Sequence, residues 1–138
     1  MGSLDQLQPA SVWHHFQALC AIPHPSRHEQ QIAAYLLNFA QQLGLDCAQD
    51  DVGNVIIRKR ATLGCEQAPG VVLQAHMDMV PQKNSDTVHD FTTDSIMPFV
   101  EGDWVTAQGT TLGADNGIGL AAALAVLEST TIQHGRVG

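Results

Sequence analysis

Two stretches near the start of the chain have the periodicity of amphipathic helices. From about Pro9 to Cys20, apolar residues recur at steps of three and four positions. A second helix is predicted after a capping-box pattern, in which Ser26 accepts from the backbone and Glu29 reaches back. Gly44 is suited to end that helix at its C′ position. Its inward-facing residues are predicted to be Ile32, Leu36, Leu37, Phe39, Ala40 and Leu43.

Short apolar runs farther along the chain predict strands. Residues 45–49 and 55–60 bracket a tight turn in which Gly53 can adopt a positive φ. Residues 99–101 and 104–107 predict a hairpin about a two-residue Gly-Asp turn. The run Val71–Ala75 predicts a short buried strand, because Val and Leu suit a pleat covered on both faces. Strands interleaved with helices indicate an α/β domain with a mixed sheet and helices on both faces.

The predicted strand at 71–75 leads directly to His76, and Asp78 follows two positions later. Side chains two apart on extended backbone point the same way, so both would lie at the strand's carboxyl end, where ligands bind in open α/β sheets. A carboxylate that accepts a hydrogen bond from one ring nitrogen leaves the other nitrogen free for a metal ion. A surface histidine beside an ordinary strand-end aspartate has the same pattern, so this motif alone is weak.

A glycine-punctuated turn at residues 109–113 places Asp115 just before an apolar helix at 120–128, which is rich in Ala and Leu and is expected to be buried. Asp115 could be the helix N-cap, or the loop could bind a phosphate at the helix N-terminus. The loop contains neither of the common phosphate-binding glycine motifs, and a carboxylate at its mouth repels an anion. A metal ligand fits the chemistry of Asp115 better.

Composition narrows the class of protein. A chain of 138 residues allows one domain with a modest core. Its net charge of −8 argues against nucleic acid and anionic membranes as partners. Three cysteines form no C-x-x-C pair and leave an odd count, which favours the reduced cytoplasm. No apolar run reaches the roughly 20 residues that a spanning helix needs.

The remaining histidines and acidic loop residues are expected to be surface or packing residues. This expectation covers the histidines of the first two helices and their joint, and three polar residues of the long excursion at 82–96. They are His14, His15, His24 and His28, and Asp86, His89 and Asp90.

Taken together, two motifs resemble the zinc-dependent family of aminoacylases, carboxypeptidase G and dipeptidases. They are Leu73–Pro81, with the sequence LQAHMDMVP, and Thr110–Gly117, with the sequence TTLGADNG. The chain is most similar to the bacterial aminoacyl-histidine (Xaa-His) dipeptidases of that family. The segments Ile22–Ser26, Asp51–Lys59 and Pro81–Asn84 also resemble that subfamily, so the resemblance covers nearly the whole chain.

The resemblance implies a role for each candidate residue. His76 would bind one zinc ion, Asp115 would bridge two, and Asp78 would orient His76 as a catalytic residue of the site. The peptide bond after Asp115 would be cis. The activity implied is hydrolysis of a short peptide, of the Xaa-His type, by a water that two zinc ions activate. Other divalent ions are plausible at a site made of nitrogen and oxygen ligands.

The resemblance also implies that residues 1–138 are the N-terminal portion of a three-layer zinc-peptidase domain. Relatives continue into another strand, a Glu-Glu pair and a later Asp and His, which supply the general base and the remaining ligands. A smaller dimerisation or lid domain would also be absent. We therefore expect this chain alone to be inactive, to hold at most one weakly bound ion, and to self-associate or pair with the missing portion. The alternative is a non-catalytic fragment or assembly module that packs against another chain.

Overall fold

Three α-helices and four strands form the regular structure of the computed structural model, which describes all 138 residues. The fold is α/β, and a short 3-10 helix precedes the first α-helix. The helices are α1 (Ala10–Ala21), α2 (Gln30–Gln42) and α3 (Ala114–Glu128), and the 3-10 helix is Leu4–Gln6. The strands are β1 (Asp46–Gln49), β2 (Val55–Arg58), β3 (Pro98–Glu101) and β4 (Trp104–Ala107).

Helices α1 and α3 pack against each other and form the centre of the hydrophobic core. The first predicted helix is confirmed as α1, and the apolar run at 120–128 lies within α3. Only one face of that run is buried, through Ala121, Leu124 and Leu127. No helix combines the length and the apolar character that crossing a bilayer would require. The core cluster consists of Leu4, Phe16, Leu19, Cys20, Ile32, Leu36, Met79, Ile96, Ala121 and Leu124.

The start of α2 differs from the prediction. Arg27 has a φ of 75°, which takes the backbone out of the helical range, so the helix begins only at Gln30. Glu29 turns back to accept a hydrogen bond from the Arg27 N–H at 2.7 Å. The hydroxyl of Ser26 points elsewhere, towards Asp78. The predicted capping box is therefore wrong.

The inward face and the end of α2 agree better with the sequence. Ile32, Leu36 and Ala40 are buried, as predicted, whereas Leu43 is 42% exposed. Gly44 follows the helix with a φ of 68°, which confirms its role as the C′ residue.

The strands pair as two separate antiparallel hairpins. In the first, Gln49 is opposite Val55, and in the second Glu101 is opposite Trp104. Both predicted hairpins are confirmed. The four strands do not join into one mixed sheet, because each has its sequence neighbour as its only strand partner. Val100 of β3 also pairs with Gly2, through an isolated bridge.

The prediction of a buried strand at residues 71–75 is wrong. Val71 and Leu73 pair in parallel with residues 136–138, but this ladder is only three hydrogen bonds long. The side chain of Val72 is 81% exposed. A strand is buried only when neighbours cover its faces and its second edge, and no residue of this chain does so here.

Candidate metal centre

The structure brings together the three residues that the sequence singled out. His76 lies between Asp78 and Asp115, which are distant from each other in the sequence. Its Nδ1 is 3.0 Å from Oδ1 of Asp78 and 2.9 Å from the Asp78 carbonyl oxygen. Its Nε2 is 3.0 Å from Oδ1 of Asp115, 39 residues away. One nitrogen of the ring is thus held by Asp78, and the other faces a carboxylate.

A buried methionine anchors the backbone that carries His76 and Asp78. The N–H of Met79 donates to the carbonyl of His24 at 3.0 Å, and the N–H of Ser26 donates to the carbonyl of Met79 at 3.1 Å. These two bonds fix the segment after His76 against the α1–α2 loop. The position of the imidazole therefore depends on a tertiary pairing rather than on a regular strand.

The same methionine fixes the start of α3. A Cβ on Gly113 would lie 3.2 Å from Sδ and 3.3 Å from Cβ of Met79, closer than ordinary van der Waals contact. Gly113 also has a φ of 78°, which side chains rarely tolerate. Glycine at this position lets the turn close on Met79, which brings Asp115 to His76.

Asp115 is not an N-cap, although it lies at the beginning of α3. Its own dihedrals, φ −95° and ψ 106°, are extended rather than helical. Its carboxylate contacts His76 and makes no capping hydrogen bond. The peptide bond to Asn116 is cis, as predicted.

The electrostatics of the cluster follow from these contacts. The hydrogen bond to the Asp115 carboxylate raises the pKa of His76, and the contacts with Asp78 act in the same direction. The hydroxyl of Ser26 holds the pKa of Asp78 below its usual range, with a further lowering from His76. The side chain of Asp115 is 97% exposed, so the site is open to solvent on that side.

An imidazole nitrogen and a carboxylate oxygen are donors that zinc and other divalent ions accept. A catalytic zinc takes about three protein ligands. This chain places two such donors next to each other, and no group of three or more His, Cys, Asp or Glu side chains is arranged around a common point. The donor types fit a divalent ion, and two of them stand together here, fewer than the roughly three that a catalytic zinc takes.

Ser26 is the residue of this cluster that the sequence did not reveal. Its hydroxyl donates to Oδ2 of Asp78 at 2.5 Å, across a separation of 52 residues. Locally, Ser26 has the signature of a helix cap, and no local pattern could have distinguished the two roles.

The other histidines and loop acids lie outside the cluster. His15 and His24 are buried packing residues, while His14 and His28 are exposed. In the 82–96 loop, Asp90 accepts from the backbone and the hydroxyl of Thr92. His89 is half-buried, and its Nε2 has no hydrogen-bond partner. Cys20, Cys47 and Cys65 are free thiols.

Comparison with known proteins confirms the resemblance read from the sequence. The chain is 57% identical over 135 residues to the N-terminal part of the cytosol non-specific dipeptidase of Escherichia coli (strain K12). That alignment covers 98% of this chain and 28% of the relative. No protein-family model matches the chain.

Solved structures show the same relationship. The crystal structure of aminoacylhistidine dipeptidase from Vibrio alginolyticus is 56% identical and superposes with a TM-score of 0.96, over 99% of this chain and 28% of that one. A tripeptidase from Staphylococcus aureus is 26% identical with a TM-score of 0.71, over 92% of this chain and 34% of that one. The chain thus spans about 28% of the length of the dipeptidases it matches.

Proposed function

We propose that this chain carries the metal-binding half-site of a zinc-dependent dipeptidase that acts on Xaa-His dipeptides. One observation supports this most directly: Nε2 of His76 faces Oδ1 of Asp115 at 3.0 Å, while Nδ1 is held by Asp78. The similarity to two dipeptidases over nearly the whole chain supports the same reaction class. The name of the Vibrio alginolyticus enzyme supports a substrate with a carboxyl-terminal histidine.

In this proposal His76 and Asp115 would hold the metal. Zinc in such a site supplies a Lewis acid that polarises the peptide carbonyl and lowers the pKa of water towards about 7. Asp78 accepts a hydrogen bond from Nδ1–H of His76, which would leave Nε2 free to bind the ion. Other divalent ions are compatible with the same donors.

We also propose that the 138 residues alone do not catalyse hydrolysis. The cluster offers one imidazole and one carboxylate as metal donors, where a catalytic zinc takes about three protein ligands. The general base and the other ligands would come from a polypeptide that corresponds to the part of the relatives that this chain does not match. In that assembly these residues would be the N-terminal part of a three-layer domain with a mixed sheet.

A chimera tests the activity. This chain would replace the corresponding 28% of the Escherichia coli dipeptidase, which it matches at 57% identity. We expect the zinc-loaded chimera to hydrolyse an Xaa-His dipeptide, and the 138-residue chain to be inactive under the same conditions. His76→Ala in the chimera should lower kcat/KM by more than about 100-fold, since it removes a ligand rather than an outer contact.

His14→Ala is the matched control for that substitution, because His14 is exposed on α1 and lies outside the cluster. Its chimera should keep full activity. A folded chimera without activity would contradict the proposed reaction. Zinc-dependent cleavage by the 138-residue chain alone would contradict the proposal that this part is inactive.

We further propose that the protein is cytoplasmic and that the 138-residue chain self-associates. The relative's description as a cytosol dipeptidase and the three free thiols support the location. For self-association, the supporting feature is the outer edge of residues 72–75. The N–H and C=O groups of Val72 and Gln74 have no backbone partner. This edge borders a cleft of about 830 Å3 that Leu120, Leu124 and Leu127 help to line.

A further inference from the structure

The carboxylate of Asp78 is held from two sides, one oxygen by each neighbour. Oδ1 accepts from Nδ1 of His76 at 3.0 Å, and Oδ2 accepts from the hydroxyl of Ser26 at 2.5 Å. The Ser26 oxygen also lies 3.2 Å from the carbonyl of Met79. A hydroxyl has one proton, and the shorter contact with a charged acceptor is the stronger one. We infer that Ser26 is a positioning residue, whose hydroxyl orients Asp78 and thereby the imidazole of His76.

The need for such a residue follows from the freedom of the carboxylate. The terminal torsion of aspartate is broad, so a single hydrogen bond from His76 leaves the carboxylate plane free to rotate. The side chain of Asp78 is 33% exposed, so neighbouring atoms do not enclose it and packing alone does not fix its orientation. A second bond to the other oxygen fixes the plane. The hydrogen bond between Nδ1 of His76 and Oδ1 of Asp78 then holds the imidazole in a single orientation. In that orientation Nε2 points at Asp115.

The backbone around Ser26 is arranged to present this hydroxyl. Its N–H donates to the carbonyl of Met79 at 3.1 Å, which places the residue beside the segment that carries Asp78. The next residue, Arg27, has a φ of 75°, a left-handed conformation that costs about 1–2 kcal/mol for a residue with a side chain. Ser26 therefore does not cap a helix, and its hydroxyl donates to Asp78 instead. The backbone hydrogen bond from the Ser26 N–H to the Met79 carbonyl does not need the hydroxyl, so Ser26→Ala should fold.

The inference rests on the proposed function only in taking His76 to bind a metal, and two measurements on the 138-residue chain test it. The first is the tautomer of His76 in 15N-histidine-labelled protein in alkaline buffer, by long-range 1H–15N correlation. We expect Nδ1–H to dominate in the native chain and to lose population in Ser26→Ala. The second is Zn2+ affinity, by competition with a chromophoric chelator. Ser26→Ala should weaken it by about 10-fold, as for other residues that support a ligand.

Two further variants separate positioning from a general structural effect. Ser26→Thr retains a hydroxyl and should restore both the tautomer and the Zn2+ affinity. Ser95→Ala removes a hydroxyl that donates to the carbonyl of Ala21 at 2.7 Å, away from the cluster, and should change neither. If the population of the Nδ1–H tautomer of His76 is the same in Ser26→Ala as in Ser95→Ala, the inference is overturned. If the native chain shows the expected tautomer but no Zn2+ binding, the metal role of His76 fails while the positioning by Ser26 stands.

Discussion

His15 of α1 and Glu128 at the end of α3 form a direct hydrogen bond across 113 residues of sequence. The His15 side chain is 6% exposed, whereas that of Glu128 is 49% exposed. The carboxylate therefore reaches in from the surface to satisfy a buried ring nitrogen. On its other side the imidazole packs edge-on against Phe39 of α2, with ring centroids 5.5 Å apart. This one histidine connects all three helices.

Glu128→Ala should destabilise the fold, because it leaves Nε2 of His15 buried without a partner. Loss of a partner to a buried polar group costs about 1–3 kcal/mol. Glu128→Gln keeps an acceptor oxygen and should lose less stability than Glu128→Ala. Urea denaturation followed by circular dichroism measures the difference. Glu101→Ala, an exposed glutamate of the β3–β4 hairpin, is the control. Equal unfolding midpoints for Glu128→Ala and Glu101→Ala would contradict this role.

Lys59 caps the C-terminal end of the same helix, next to Glu128. Its ammonium group donates to the carbonyls of Leu127 at 2.9 Å and Ser129 at 2.7 Å, where helical carbonyls lack partners. Lys59→Met keeps the apolar stem but removes these bonds, and should lower the free energy of unfolding by about 1–3 kcal/mol. Arg60→Met, at an exposed neighbouring position, should have little effect. Thermal unfolding of both variants measures the difference. An equal loss of stability in Arg60→Met would contradict a specific capping role for Lys59.

The sequence predicted those features that depend on local physics. The periodicity of α1, the two hairpins and the stop at Gly44 are properties of short segments, and the structure has all of them. The pairing of His76 with Asp115 followed from a resemblance, because 39 residues separate them and no local pattern joins them.

Two predictions failed because long-range partners decide the outcome. The run at 71–75 has the composition of a buried strand, but burial is a property of the neighbours, and Val72 is 81% exposed. Ser26 has the signature of a cap that is worth about 1 kcal/mol, and a charge-assisted bond to Asp78 is comparable or stronger. The sequence around Ser26 contains no information about a carboxylate 52 residues away.

His24 makes stability depend on pH. Burial lowers its pKa in the folded state below the unfolded value of about 6.5, and its Nδ1 is 2.5 Å from the carbonyl of Ile22. Below about pH 6.5 the unfolded chain therefore binds more protons than the folded chain does. The contribution of His24 to the free energy of unfolding is complete above that pH and is lost as the pH falls through the folded-state pKa. His24→Gln should flatten the decline in unfolding free energy below about pH 6.5, whereas His14→Gln, at an exposed position, should not. Parallel pH profiles for the two variants would contradict this assignment.

The edge at residues 72–75 should drive self-association. An edge with free N–H and C=O groups is a template for pairing, and two copies related by a twofold axis can pair the same edge in antiparallel fashion. Val72 adds an apolar side chain that is 81% exposed beside the cleft. A lysine at this position places a charge on the edge, a device by which natural sheets prevent pairing.

Light scattering coupled to size-exclusion chromatography tests this arrangement over a range of chain concentrations. We expect the native chain to shift to a dimer or larger species as concentration rises, and Val72→Lys to remain monomeric. Val88→Lys is the matched control, because Val88 is 100% exposed in the 82–96 loop, away from the edge, and it should associate like the native chain. Association that survives in Val72→Lys would place the contact on another surface. A native chain that stays monomeric at high micromolar concentration would contradict the predicted self-association.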